Sequence, residues 1–212
     1  MYNNDQEKRN IEYLNIQDEG GTNEIITKVT SKIFNQINEI NSISRTNIPI
    51  SELTVALQCG GSDSYSGITA NPALGFASDM IIDHGGTTLL SETPEIYGAE
   101  HLLFEKSLNE KNIEKLNKQI EWWKKYVANN DSTLDNNPSP GNKKGGLTTI
   151  LEKSLGAVSK AGNRNMVDVL DYAEQVKTKG FNFMNSPGYD PVSVTGQVAS
   201  GANVICFTTG RG

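Results

Sequence analysis

The chain has 212 residues, 36% of them hydrophobic, and a formal net charge of −6. That length supports one large domain or two small ones with a real core, and the acidic balance argues against a nucleic-acid partner, which needs a basic face. No run of about 18 apolar residues is present, so no membrane-spanning helix is expected.

Residues 1–10 are polar and lack the apolar stretch of a secretory signal. They read as a disordered start, and a soluble cytoplasmic protein is the expectation. Ile11 to Ile16 reads as a short strand, followed by a turn through Gly20 and Gly21 with Thr22 as helix cap. Ile25, Ile26, Val29, Ile33, Ile37 and Ile40 then recur at helical spacing, which predicts an amphipathic helix packed on a sheet. Leu53 to Leu57 is a buried-strand candidate, with a glycine- and serine-rich loop from Gly60 to Gly67 behind it. A helix is predicted over Pro72 to Asp83 and a strand over Thr87 to Leu90, with a loop from Glu92. His84 falls at the helix end, where it meets the dipole, and His101 reads as a structural histidine on a helix.

Ile113, Leu116, Ile120, Trp123 and Val127 mark a long amphipathic helix. Trp122 and Trp123 read as core or lid packing. A polar loop covers 129–146, a helix runs from Leu147 to Lys160, and Phe181–Met184 and Val204–Phe207 read as strands joined by a helix near Val192 to Ala199. The alternation of strands and helices predicts an α/β fold: a layered, mostly parallel, Rossmann-like sheet flanked by helices and incomplete at both ends. The expected division is 1–10 as the loose start, 11–50 as the end of a preceding α/β unit, and 51–212 as the core domain, truncated at its C-terminus. Cys59 and Cys206 are expected to be free thiols.

Four loops can carry chemistry, because ligands of open α/β sheets bind outside the carboxyl ends of strands. In Cys59 to Gly67 with Thr69 to Pro72, glycines admit close backbone approach to an anion. Cys59 and Asp63 offer a soft and a hard metal ligand, while Ser62, Ser66 and Asn71 can bond hydroxyls; the plainer alternative is a tight connection with Asn71 capping the next helix. In Ser91 to Glu95, Glu92 and Glu95 can hold a divalent cation or act as acid and base, or merely cap a turn. Asn137 to Gly146, with Asn142 and Lys143, opens a helix and suits an anion. Residues 136–165 hold five basic residues (Lys143, Lys144, Lys153, Lys160, Arg164) against one acid, a positive patch in an acidic chain. In Thr208 to Gly212, Arg211 between two glycines can grip a carboxylate.

No single loop is a strong generic motif; their combination is more specific. Leu57-Gln58-Cys59-Gly60-Gly61-Ser62-Asp63, Ser66-Gly67-Ile68-Thr69-Ala70-Asn71-Pro72, Ser91-Glu92-Thr93-Pro94-Glu95, Pro138-Ser139-Pro140-Gly141-Asn142-Lys143, Glu152-Lys153-Ser154-Leu155-Gly156 and Thr208-Thr209-Gly210-Arg211-Gly212 occur in one order. Together they resemble the altronate/galactarate dehydratase family from about Tyr13 onward. Glu95 to Glu100 with Asn137 to Lys143 is more similar to the altronate enzymes.

The resemblance implies loss of water from a sugar acid to give a 2-keto-3-deoxy acid, for altronate 2-dehydro-3-deoxygluconate, in hexuronate or hexarate breakdown. It implies a divalent metal, Fe2+ or Mn2+, and a small sugar acid as partner, with no nucleic acid or membrane; the full-length protein could form a homo-oligomer. The metal set expected is Cys59, Asp63 and Glu92. The catalytic set is Asp63, Glu92, Glu95 and Lys143. The substrate set is Ser62, Ser66, Asn71, Asn142, Lys143 and Arg211, with Lys143 and Arg211 on carboxylates. A family member is longer at both ends, so this stretch alone is expected to be inactive. The alternatives are galactarate or a sulfonated hydroxy acid as substrate, and a module that binds a sugar acid without turning it over.

Overall fold

The computed structural model describes residues 13–210. The chain divides into two compact units, residues 1–47 and 48–212, each considered by itself. In the first, a turn ends at Gly20 and Gly21, with φ of 89° and 109°, and the helix α1 (Thr22–Ser42) follows. Gly21, not Thr22, is its cap. The helical period of the isoleucines is as expected. Ile11 and the residue after it lie outside the described residues; 13–16 form no strand.

The second unit is built on β1 (Thr54–Cys59), α2 (Ser64–Ile68), α3 (Ala70–Asp83), β2 (Thr87–Leu90), α4 (His101–Phe104) and α5 (Glu110–Ala128), followed by α6 (Pro140–Lys144), α7 (Ile150–Ser159), β3 (Met166–Leu170), β4 (Phe181–Met184), α8 (Asp190–Ala199) and β5 (Val204–Thr208). The five strands form one sheet in the order β3-β4-β2-β1-β5, all parallel. This is the α/β sheet flanked by helices that the alternating pattern predicts. A parallel sheet covered by helices buries its strands on both faces, and β1, β2 and β4 are buried almost throughout. The core joins Val55, Leu57 and Leu90 with Leu116 and Ile120 of α5, Val158 of α7, and Phe181 and Phe183 of β4.

β3 was not predicted, because Asp168 interrupts its apolar run. The short helices α2 and α6 break up stretches read as loops. Asn71 lies inside α3 and does not cap it; the cap is Thr69. His84 caps the end of α3, with Nδ1 2.7 Å from the carbonyl of Met80. His101 opens α4 and is exposed. Cys59 and Cys206 are free. No helix among the described residues is long and apolar enough to cross a membrane.

Candidate active site

Parallel register puts the ends of β1 and β2 side by side. Leu57 pairs with Leu90, so Cys59 and Glu92 both lie two residues beyond that pair. Glu92 then takes the left-handed conformation, φ 72° and ψ 67°. A non-glycine residue is held there only where its surroundings over-determine it, and such positions cluster at functional sites. The surroundings are the chain after β4: Ser186 Oγ accepts the Glu92 N–H at 2.9 Å, and its carbonyl accepts the Thr93 N–H at 3.0 Å. Thr93 Oγ1 donates to Asn185 Oδ1 at 2.7 Å. The reversal at Glu92 launches a 3-10 turn, Thr93–Ile96, which carries Glu95 back toward Cys59. Cys59 Sγ and a carboxylate oxygen of each of Glu92 and Glu95 thus lie within 4.8 Å of one another, all three residues buried.

Two buried lysines face this group. Lys160, 1% exposed, donates to Cys59 Sγ. Lys153 Nζ donates to Glu95 Oε1 at 2.8 Å, with both side chains 8% exposed. Burial pushes the Glu92 carboxyl up to about 8, the nearby charge of Glu95 adds to this, and Lys160 opposes it. Burial likewise raises the Cys59 thiol, against the pull of Lys160. For Lys160 burial acts downward, but Cys59 and Glu92 outweigh it and its pKa is raised. Glu95 Oε2 is buried with no hydrogen-bond partner among the described residues.

A cleft of about 560 Å³ opens above the cluster, lined by Cys59, Ser62, Glu95, Asn142 and Lys153 and walled by Trp123 and Leu134, with Asp190 at its side. Trp123 of α5 donates from Nε1 to Asn185 Oδ1 at 2.9 Å, so this ring is fixed packing that forms one wall. Asp190, in the first turn of α8, accepts from Gln58 Nε2 at 2.9 Å.

Of the residues singled out from sequence, Cys59, Glu92 and Glu95 converge, and Ser62 and Asn142 line the cleft. Asp63 is not in the cluster. It caps α2, accepting the Ser66 N–H at 2.7 Å, and Ser66 completes the capping box. Asp63 also lies against Gly210, where a Cβ would fall 2.1 Å from Oδ1. Asn71 braces the scaffold: Nδ2 donates to the Gly156 carbonyl at 2.9 Å and Oδ1 accepts from Thr208 Oγ1 at 2.6 Å. Lys143 is exposed in the last turn of α6 and does not line the cleft. Arg211 lies outside the described residues. Of the positive patch, Lys153 and Lys160 point inward, onto Glu95 and Cys59. They sit seven residues apart on α7 and its end, on the face of buried Ser154 and Ala157; lysine on a buried helix face was the available signal.

The donor set fits a divalent transition metal. A soft thiol stands beside two hard carboxylates, a mixture that suits neither an all-oxygen Ca2+ cage nor a four-thiolate site. The orphaned Oε2 of Glu95 is a buried acceptor that a cation would satisfy.

Comparison with known proteins decides the relationship. Residues 50–212 match the model of the D-galactarate/altronate dehydratase family, C-terminal part. The chain belongs to this family. It is 47% identical over 168 residues to the altronate dehydratase of Bacillus subtilis (strain 168), covering 79% of this chain and 34% of that protein. It is 40% identical over 201 residues to the L-threo-forming galactarate dehydratase of Escherichia coli (strain K12), covering 94% of this chain and 38% of that protein. It is also 34% identical over 198 residues to the (2R)-sulfolactate sulfo-lyase subunit beta of Chromohalobacter salexigens, covering 92% of this chain and 51% of that subunit. The chain thus spans between a third and a half of the length of these relatives.

Proposed function

We propose that this chain forms the cation-holding part of a sugar-acid dehydratase, acting on an aldonate of the altronate type. The observation that carries this is the buried cluster of Cys59, Glu92 and Glu95, two of which, Cys59 and Glu95, line a cleft. Altronate is favoured over galactarate by identities of 47% and 48% to two altronate dehydratases against 40% to a galactarate dehydratase.

Dehydration removes the proton at C2 of the acid and expels the hydroxyl at C3. A C–H beside a carboxylate is a very weak acid, so charge that develops there must be stabilised. Cys59, Glu92 and Glu95 would hold Fe2+ or Mn2+, which when bound supplies Lewis-acid stabilisation of that charge. Lys153 and Lys160 bring positive charge to this buried group, which Glu92 and Cys59 need once they lose their protons. Ser62 presents a hydroxyl-binding group in the cleft, Asn142 is held by Ser139 and the Ser62 carbonyl and shapes its wall, and Trp123 and Leu134 form its apolar side. Asp190 is the acid that lines the cleft without belonging to the cation cluster. Held by Gln58, it is the group positioned to move a proton at the substrate.

The test uses the full-length protein that contains this chain. Altronate should be converted to a 2-keto-3-deoxy acid, detected as the keto product, with Fe2+ or Mn2+ required and a chelator abolishing turnover. Turnover that survives chelation sinks the cation role; product from galactarate but not altronate reverses the substrate choice.

A further inference from the structure

Lys153 reaches two separate segments, one at Glu95 and one at Asn137 to Asn142. Nζ donates to Glu95 Oε1 at 2.8 Å and to Asn137 Oδ1 at 2.9 Å, and lies 3.5 Å from Asn142 Oδ1. An ammonium has three donors, so each is engaged. Glu95 belongs to the cation cluster. Asn137 and Asn142 belong to the cleft wall. Asn142 also closes the capping box of α6 with Ser139 and donates to the Ser62 carbonyl at 2.8 Å. Asn137 adds a longer bond to the same Glu95 oxygen, at 3.4 Å. The two oxygens of Glu95 are thereby divided: Oε1 faces Lys153 and the wall, and the partnerless Oε2 is left for a cation.

We infer that Lys153 is a positioning residue that joins the cation site to the cleft wall, so that a divalent cation on Glu95 orders residues 134–146. This rests on the cation reading above. A carboxylate held at both oxygens has one orientation. Through Lys153 that orientation fixes two side chains of the segment facing the substrate. Coupling of this kind is reciprocal: a substrate that orders the wall must tighten the cation to the same degree.

The probe is Mn2+ alone, acting on the intact chain. Lys143 and Lys144 are exposed on α6, so trypsin cleavage after them, followed by mass spectrometry, reads how firmly the wall is held. Saturating Mn2+ should slow this cleavage at least about 5-fold, the lower end of ordinary intersite coupling. Lys153→Met should lose that protection even at saturating Mn2+. A purely structural lysine would instead shift the rates with and without metal alike. Asn137→Ala, which keeps the Glu95–Lys153 pair, should still bind Mn2+ in calorimetry and lose most of the protection; it decides the matter alone if Lys153→Met does not fold. Protection unchanged in the variants, with Mn2+ bound, overturns this inference and leaves the cation reading standing. No Mn2+ binding by the unaltered chain overturns both.

Discussion

Lys160, on the turn that ends α7, donates to the sulfur of Cys59, the last residue of β1, and both are buried. A fully buried lysine persists only where its charge is answered. Here the answer is the same anionic group that would hold a metal. Lys160 lies in the field of Cys59, Glu92 and Glu95, and each of them favours its charged form.

The first prediction follows from that pairing. Above about pH 8, where Glu92 gives up its proton, Lys160→Met should destabilise the metal-free chain by about 3–5 kcal/mol, because it then leaves a buried carboxylate without its counter-charge. For a domain of this size that is a fall in Tm on the order of 10 °C. Mn2+ should raise Tm more in the variant than in the unaltered chain, since the added cation replaces the lost one. A Tm that does not move in the variant refutes the role.

Metal binding should depend steeply on pH. Ligands must lose their protons to bind. Glu92 keeps its proton to about pH 8, and the Cys59 thiol titrates above its ordinary 9.0. Below about pH 8 both protons must leave, so Mn2+ affinity should climb roughly 100-fold per pH unit; above it, about 10-fold. Calorimetry in buffers of different ionisation enthalpy counts the protons directly. Without metal the sign reverses. The folded-state pKa of Glu92 lies above the ordinary 4.5, so the stability it contributes at low pH is lost as pH rises toward about 8. A pH-independent Mn2+ affinity between 6 and 8 contradicts this account.

Asp190 offers the sharpest catalytic test. In the full-length protein, Asp190→Asn should keep the bond from Gln58 by its amide oxygen and leave the cation cluster intact. Loss of a general acid or base costs roughly 10²- to 10⁴-fold in kcat, with Mn2+ affinity little changed. A variant with unaltered kcat removes Asp190 from the mechanism.

Val55 to Leu57 was legible because burial on both faces leaves a plain apolar run, and Phe181 to Met184 because its two phenylalanines and Met184 outweigh the one buried Asn182. β3 was not, since at the sheet's edge Asp168 is tolerated and the run is broken. Cys59, Glu92 and Glu95 were legible by following strand ends. Their partners were not, because a lysine's charge invites a surface reading and only the three-dimensional path of α7 turns Lys153 and Lys160 inward. Asp63 misled for the opposite reason: an acid in a glycine-rich loop suits a metal and a helix cap equally, and its geometry with Ser66 shows the cap. Asp190 went unnoticed because Asp-Pro at a helix start is ordinary punctuation.

A last prediction concerns how the scaffold places Lys160. Gly75 of α3 is buried, and a Cβ there would sit 2.1 Å from the Ser159 carbonyl oxygen and 3.3 Å from the Gly162 Cα. Helix α3 therefore touches the end of α7 backbone to backbone, just where the chain delivers Lys160. In an unconstrained helix Gly→Ala stabilises by about 1 kcal/mol. Gly75→Ala should do the reverse, costing about 1–3 kcal/mol, as overpacking of a filled interior does. The urea midpoint should fall with its slope unchanged. Because Ser159 must give way first, the displacement should reach Lys160 and Cys59, and Mn2+ affinity should change along with stability. Stabilisation by alanine would mean that the two helices have room to part, and that the close approach at Gly75 does not set the position of Lys160.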